Sequence, residues 1–175
     1  MKPIKFKTTI GMLSNNVYYD HIIVPKEIRD KFRVEGKSAI RVLCTVNDND
    51  YFHAGLMPKG DGDYFIIMKK ARMKAFGLEI GQEIKVQLEV DTSKYGMRMP
   101  EEFEEVLGSD PEGEERFEQL TDGKKRNLIH MVATVKNTDL RITKSLIILD
   151  HLKTNEGKLD HKLLLEAMKP KNRKY

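Results

Sequence analysis

Residues 64–90 read YFIIMKKARMKAFGLEIGQEIKVQLEV and repeat the pattern of residues 21–46, which read HIIVPKEIRDKFRVEGKSAIRVLCTV. At an offset of 44 residues the closing segments of the two stretches coincide. The matched pairs are Ile40 with Ile84, Val42 with Val86, Cys44 with Leu88 and Val46 with Val90. Apolar residues at every second place are typical of a half-buried strand, so the repeat predicts two copies of one β unit.

The pattern of each copy predicts the same elements in the same order along the chain. They are a strand, a loop, a short apolar strand, one or two helical turns, a turn at Gly36 or Gly81, and a closing strand. Two such half-barrels can pair around a pseudo-twofold axis and close into a barrel without exposed strand edges. We therefore predict a β-barrel domain over residues 1–95, internally duplicated over about 6–46 and 50–90. Because both halves lie in one chain, we expect a monomer.

After the barrel, residues 99–170 show the spacing of helices rather than of strands. Pro100, Asp110 and Thr121 suit the starts of three of these helices. A fourth helix would hold the apolar residues Ile142, Leu146, Leu149 and Leu152. The sequence therefore predicts an α+β protein, in which a small β-barrel capped by short helices precedes a helical C-terminal region.

Charge is distributed unevenly along the chain, whose net charge is +4 at pH 7. Residues 1–98 carry +5, residues 99–122 carry −9 and residues 123–175 carry +8. Blocks of this kind usually form solvated helix faces, and the acidic block would repel a polyanion. No apolar run approaches the ~20 residues of a membrane span, the N-terminus lacks a secretory signal, and one cysteine permits no intramolecular disulfide. We expect a cytoplasmic protein that does not insert into membranes.

The segment KGDGD, residues 59–63, is a candidate ligand loop through Lys59, Gly60, Asp61 and Gly62. A phosphate cradle needs its glycines to lead into a helix N-terminus, whereas these lead into the extended run YFIIM. A tight turn fits better, because its glycines can adopt positive φ and its aspartates can accept hydrogen bonds from nearby amides.

Catalytic and metal-binding motifs are not recognisable in the sequence. None of the five histidines has a second ligand at the spacing of a zinc motif such as H-E-x-x-H. Cys44 lies in an apolar alternation, which is typical of a buried structural thiol rather than a nucleophile. We therefore expect no metal, no cofactor and no catalytic residues. A buried polar cluster assembled from distant residues would indicate an enzyme instead.

The segment IIVPKEIRDKFRVEGKSAIRV, residues 22–42, resembles the swapped-hairpin unit of AbrB-type transition-state regulators. In that family two chains each supply half of a DNA-binding barrel of the double-split type. Basic residues that recur in the helical turns of the two copies are the candidate nucleic-acid or anion contacts, termed here the basic set: Arg29, Lys31, Lys69, Arg72 and Lys74. Few aromatic residues accompany these charges for base stacking, so we predict only weak, non-specific nucleic-acid binding.

Two further resemblances cover most of the chain. Residues 24–30 and 55–91 are similar to a bacterial domain family of unknown function that has this same barrel. Residues 100–152 are similar to the helical tail of YdeI/OmpD-associated proteins, a group labelled bacteriocin-protection. The motif of that tail implies candidate contacts at Lys136, Arg141 and Lys144. The resemblance implies a non-enzymatic binding or stress- and bacteriocin-protection module. The alternatives are an AbrB-related nucleic-acid-binding regulator, and a small-ligand-binding protein or unrecognised enzyme.

Overall fold

The structure, a computed structural model, describes residues 2–13, 19–32 and 40–169. The chain divides into two compact units, Met1–Gly96 and Met97–Tyr175. The predicted turn at Gly36 lies outside the described residues.

Six antiparallel strands form the first unit. They are β1 (Ile4–Leu13), β2 (Tyr19–Val24), β3 (Ile40–Val46), β4 (Phe52–Pro58), β5 (Tyr64–Met68) and β6 (Glu83–Val90). Each strand pairs with two neighbours in the closed order β1-β2-β5-β4-β3-β6, so the sheet has no free edge. Two short helices, α1 (Lys26–Asp30) and α2 (Lys70–Ala75), follow β2 and β5. The predicted small barrel with two short helices is confirmed.

The barrel interior is filled by the apolar residues that alternate along the closing strands. Every second residue of β3 is buried, beginning at Ile40 and ending at Val46, and Cys44 is fully enclosed. Ile84, Val86 and Leu88 are buried on β6 in the same way. The predicted inward face of these strands is confirmed. A slip of one residue in register would turn all of these side chains toward solvent, so their burial also specifies the register.

The closed strand order is symmetric between the two halves of the barrel: exchanging β1 with β4, β2 with β5 and β3 with β6 gives the same set of neighbouring strands. Ile22 on β2 is the Cα partner of Ile66 on β5, and Cys44 on β3 is the partner of Leu88 on β6. Both pairs join residues that the offset of 44 aligns, so each lies where a pseudo-twofold axis would pass. This geometry is what a duplicated half-barrel requires. The duplication itself, and the relation to AbrB-type barrels, stay predictions.

Five helices make up the described part of the second unit: α3 (Glu101–Ser109), α4 (Pro111–Glu118), α5 (Asp122–Ala133), α6 (Thr138–Thr154) and α7 (His161–Ala167). The other four all pack against α6. The rings of Phe103 and Phe117 meet edge to face at 5.4 Å and join α3 to α4. Asp110 caps α4 by accepting a hydrogen bond from the Gly113 amide at 3.0 Å.

The central helix α6 carries apolar residues on several sides, and packing selects which of them are buried. Ile148, Leu149 and Leu152 are enclosed, whereas Ile142 and Leu146 are exposed. Two of the four apolar residues predicted for this helix therefore lie on its solvent side. Among the described residues, no helix combines the length and the apolarity that a membrane span requires.

Candidate anion-binding surface of the barrel

Three lysine side chains lie on the outer face of the barrel formed by β1, β6 and β3. Lys5 and Lys7 are exposed and alternate on β1 with the half-buried Phe6, so both point outward. Lys85 on β6 is also exposed, and it is the Cα partner of Lys7. Alternation along one strand and register between two strands thus place the three lysines on one face.

A cavity of about 430 Å³ lies over this face and is termed here the lysine pocket. Its polar lining consists of Lys5, Lys7, Lys85, Gln87, Thr45 and Asp48. Gln87 is the Cα partner of both Lys5 and Thr45, so one row of the pocket crosses three strands. Because these residues are brought together by cross-strand register, the pocket exists only in the closed barrel.

Positive charge in the lysine pocket is only partly neutralised. Lys7 lies directly opposite Lys85, and like charges opposite each other on neighbouring strands destabilise a sheet. Lys7 forms an ion pair with Glu83 at 3.0 Å, but the two side chains are 64% and 65% exposed, so the pair contributes little. Among the described residues, neither Lys5 nor Lys85 has an ion-pair partner.

The wall of the pocket on the β3 side is a tight turn bonded to β6. Asn47 and Asp48 have φ angles of 47° and 60°, a succession typical of a type I′ hairpin turn. The backbone amide of Asn47 donates to the Lys85 carbonyl, and the Asn47 side chain accepts from the Lys85 amide, both at 2.9 Å. These two bonds hold Asp48 at the rim of the pocket.

The basic set predicted from the sequence lies elsewhere, on α1 and α2. Its two arginines lie over aromatic rings, with Arg29 at 4.7 Å from the centre of the Tyr64 ring and Arg72 at 3.7 Å from that of Phe52. Arg29 also pairs with Asp30 at 2.9 Å. Burial lowers the pKa of Arg72. Both guanidinium groups thus lie against aromatic rings, and that of Arg29 also pairs with a neighbouring carboxylate.

The three lysines of the basic set are exposed. Lys31 follows the last residue of α1, Lys69 precedes the first residue of α2, and Lys74 lies in the last turn of α2. None of them lines the lysine pocket. The predicted set therefore combines two arginines packed on aromatic rings with three solvated lysines, and its role in binding stays a prediction.

The candidate ligand loop at residues 59–63 forms a turn that is closed by hydrogen bonds between its own residues. Gly60 and Gly62 have φ angles of 101° and 100°, which disfavour any side chain. The Lys59 amide donates to the Asp63 carbonyl at 2.9 Å, and the Lys59 ammonium donates to Asp61 at 2.7 Å. That second bond lowers the pKa of Asp61. The geometry agrees with the turn interpretation, and ligand contact at this loop stays a prediction.

The three motif residues of the helical unit do not share one cavity. Arg141 lines a cleft of about 380 Å³, whereas Lys144 lines a separate groove of about 870 Å³ between α6 and α7, and Lys136 is exposed. The Arg141 Nε donates to the Val135 carbonyl at 2.7 Å, and its Nη1 donates to Glu102 at 3.2 and 3.3 Å. Arg141 thus ties the loop before α6 to the start of α3.

One partly buried polar contact of the first unit was not predicted from the sequence. His53 on β4 lies 2.7 Å from Asp91, whose carboxylate is fully enclosed. Burial raises the pKa of Asp91, but hydrogen bonds from Ser93 and His53 lower it more, so its pKa lies below the ordinary value. Among the described residues, no cluster of three histidine, cysteine or acidic side chains is arranged to hold a metal ion.

The lysine pocket was also missed, although the sequence contains a signal for part of it. The run IKFKTTI, residues 4–10, alternates apolar residues with lysines, which places Lys5 and Lys7 on one side of a strand. Nothing local connects them to Lys85, about eighty residues later. Likewise His53 and Asp91 are 38 residues apart, so no short motif could indicate their contact.

Comparison with known proteins finds one family similar to each of the two regions of the chain. Residues 6–88 match the family described as Domain of unknown function (DUF1905). Residues 97–155 match the family described as Bacteriocin-protection, YdeI or OmpD-Associated. No curated protein sequence matches the chain significantly. Both family resemblances are thereby confirmed: the barrel region is similar to the DUF1905 family, and the helical region is similar to the bacteriocin-protection, YdeI or OmpD-associated family.

Proposed function

We propose that this chain is a non-enzymatic binding module and that its lysine pocket holds a small anionic ligand. The observation that carries the proposal is that three lysines line one cavity of about 430 Å³. Ligand pockets commonly measure about 300–1,000 Å³. The description of the family matched by residues 97–155 supports a place for this binding in protection against bacteriocins.

The chemistry of lysine favours an oxyanion of the phosphate type. An ammonium group is a compact point charge with three hydrogen-bond donors, which suits phosphate oxygens approached from several sides. A bound anion would also relieve the repulsion between Lys7 and Lys85. Binding should therefore stabilise the barrel and weaken as salt is added, because the site is open to solvent.

Binding rather than catalysis is supported by the hydrogen bonds of the pair formed by His53 and Asp91. Activation of a serine requires its hydroxyl to bond to the imidazole that removes its proton. Here the Ser93 hydroxyl donates to Asp91, on the far side of the carboxylate from His53. The hydrogen bond between His53 and Asp91 thus connects β4 to the segment after β6 and has the arrangement of a structural contact.

The proposal is tested by calorimetric titration of the full chain with inorganic pyrophosphate at low salt. The double variant Lys5→Gln/Lys85→Gln should weaken binding by about tenfold or more, since each lost ammonium contact is worth roughly 1 kcal/mol or more. The matched control is Lys26→Gln/Lys70→Gln, which removes the same charge from two exposed barrel lysines outside the pocket. Equal affinities of the two double variants, or no binding by the unmodified protein, would refute the proposal.

A nucleic-acid-binding regulator is the second candidate, favoured by the exposure of three lysines on α1 and α2. Lys31, Lys69 and Lys74 are all exposed and could contact phosphates. The position of Arg29 and Arg72 over aromatic rings favours the small-ligand proposal instead, because a ring covers one face of each guanidinium group.

A further inference from the structure

Building on the proposed function, we infer that the lysine pocket binds a phosphorylated polyhydroxy compound of the sugar phosphate class. The inference rests on the way the two kinds of charge are arranged across the pocket. Lysines occupy one side of it, and a carboxylate and a hydroxyl occupy the other. A ligand that complements this arrangement carries its anion at one end and hydrogen-bond donors at the other.

The arrangement follows from the strand order. β1 supplies Lys5 and Lys7, β6 lies next to it and supplies Lys85, and β3 lies beyond β6. The β3 side contributes Thr45 and, from the turn that follows, Asp48. Positive charge therefore lies over β1 and β6, and the carboxylate lies at the opposite wall.

Asp48 is what distinguishes a polyhydroxy phosphate from a simple inorganic anion. A carboxylate in the pocket repels an anion, but it accepts hydrogen bonds from hydroxyl groups. Thr45 can donate to or accept from the same hydroxyls, and Gln87 lies between Thr45 and the lysines. The turn that carries Asp48 is held by two hydrogen bonds between Asn47 and the backbone of Lys85, so the backbone that presents the carboxylate is ordered before a ligand binds.

The surroundings of the pocket favour a small molecule over a nucleic acid. Glu83 pairs with Lys7 at one border, and Glu89 accepts a hydrogen bond from Gln87 at 2.7 Å at another. With Asp48 on the β3 side, carboxylates lie at three borders of the lysine cluster. A continuous phosphate backbone would have to pass over these carboxylates, whereas a ligand contained within about 430 Å³ would not.

The test compares glucose 6-phosphate, ribose 5-phosphate, glycerol 3-phosphate and inorganic phosphate as titrants of the full chain. At least one polyhydroxy phosphate should bind about tenfold more tightly than inorganic phosphate, the effect of one or two added hydrogen bonds. Asp48→Asn should reduce that preference, because an amide oxygen accepts hydrogen bonds from hydroxyls more weakly than a carboxylate does. It should leave the affinity for inorganic phosphate unchanged or higher, because a repulsive charge is removed. Asparagine tolerates the positive φ at this position, so the turn is retained. Asp50→Asn, in the same hairpin but outside the pocket, is the matched control and should change neither affinity.

The outcomes separate this inference from the proposed function. Binding of pyrophosphate and inorganic phosphate without any preference for the sugar phosphates would overturn the inference alone. So would a preference that Asp48→Asn leaves undiminished, or tighter, lysine-dependent binding of a single-stranded oligonucleotide. Failure of every phosphate probe, pyrophosphate included, would overturn both.

Discussion

Substitution of Gly11 by alanine should destabilise the barrel through one identifiable contact. Gly11 on β1 is the Cα partner of His21 on β2. A Cβ atom added at Gly11 would lie 2.8 Å from both Cε1 and Nε2 of the His21 ring. That ring is 2% exposed and meets the Phe65 ring edge to face at 5.5 Å, so it has little room to turn aside.

The magnitude follows from two opposing effects. Forcing an extra methyl group into a filled space costs about 1–3 kcal/mol. Replacing glycine by alanine lowers the conformational entropy of the unfolded chain, which by itself raises the free energy of unfolding by about 0.4–1 kcal/mol. The net loss in the free energy of unfolding should therefore be about 1–2 kcal/mol.

Gly55 offers a control, because the offset of 44 aligns it with Gly11. A Cβ atom there would lie 3.2 Å from Nη1 of Arg41, the end of a long side chain that can yield by a few tenths of an ångström. The Arg41 Nη2 donates to the Gly96 carbonyl at 2.7 Å, which limits that movement. Because this contact is longer than the one at Gly11 and involves the end of a flexible side chain, Gly55→Ala should still cost less than about 1 kcal/mol.

Native-state hydrogen exchange of the β2 and β5 amides would measure the stability of the barrel without interference from the helical unit. The decisive comparison is a double-mutant cycle with His21→Ala. Without the imidazole, Gly11→Ala should be neutral or slightly stabilising. An equal loss in both backgrounds would show that the cost does not arise from the contact with His21, and the reasoning would be wrong.

Four further predictions concern other parts of the chain. Burial raises the pKa of Cys44 to about 12, so a thiol reagent should label the native protein far more slowly than the urea-unfolded one; equal rates would contradict its burial. The Lys153 ammonium and the Gly113 amide hold the pKa of Asp110 below its ordinary 3.8, so its charge stabilises the fold above that pH, and this contribution is lost as pH falls through the lowered pKa. Asp110→Asn keeps the helix cap and should therefore flatten the acid limb of the unfolding midpoint against pH. Residues 1–95 alone should sediment as a folded monomer, and an exchanged-strand dimer would refute the single-chain barrel. Changing the whole basic set to glutamine should leave weak nucleic-acid binding, on the order of 10⁻⁵ M, little altered, whereas loss of tight, sequence-selective binding would establish a regulator.

The sequence alone determined those features that depend on neighbouring residues. The alternation around Val42, Cys44 and Val46 specified which side of a strand is buried, because successive side chains of a strand point to opposite faces. The glycines at 60 and 62 indicated a turn, because few other residues adopt positive φ at low cost. Asp110 before Pro111 indicated a helix start, which the Gly113 hydrogen bond bears out. The repeat added one long-range constraint, and it was sufficient to predict a closed barrel.

Tertiary structure decided the features that depend on register and closure. The proximity of Lys7 to Lys85 requires β1 to pair with β6, and the contact of His53 with Asp91 joins segments 38 residues apart. On α6 the apolar residues occupy several faces, so only packing against the other helices could leave Leu146 exposed and Leu149 buried. A local pattern restricts the conformation of a segment but leaves open which distant segment will cover it. That choice is made by the burial gained when the whole sheet closes, and it is at such junctions between distant strands that the lysine pocket forms.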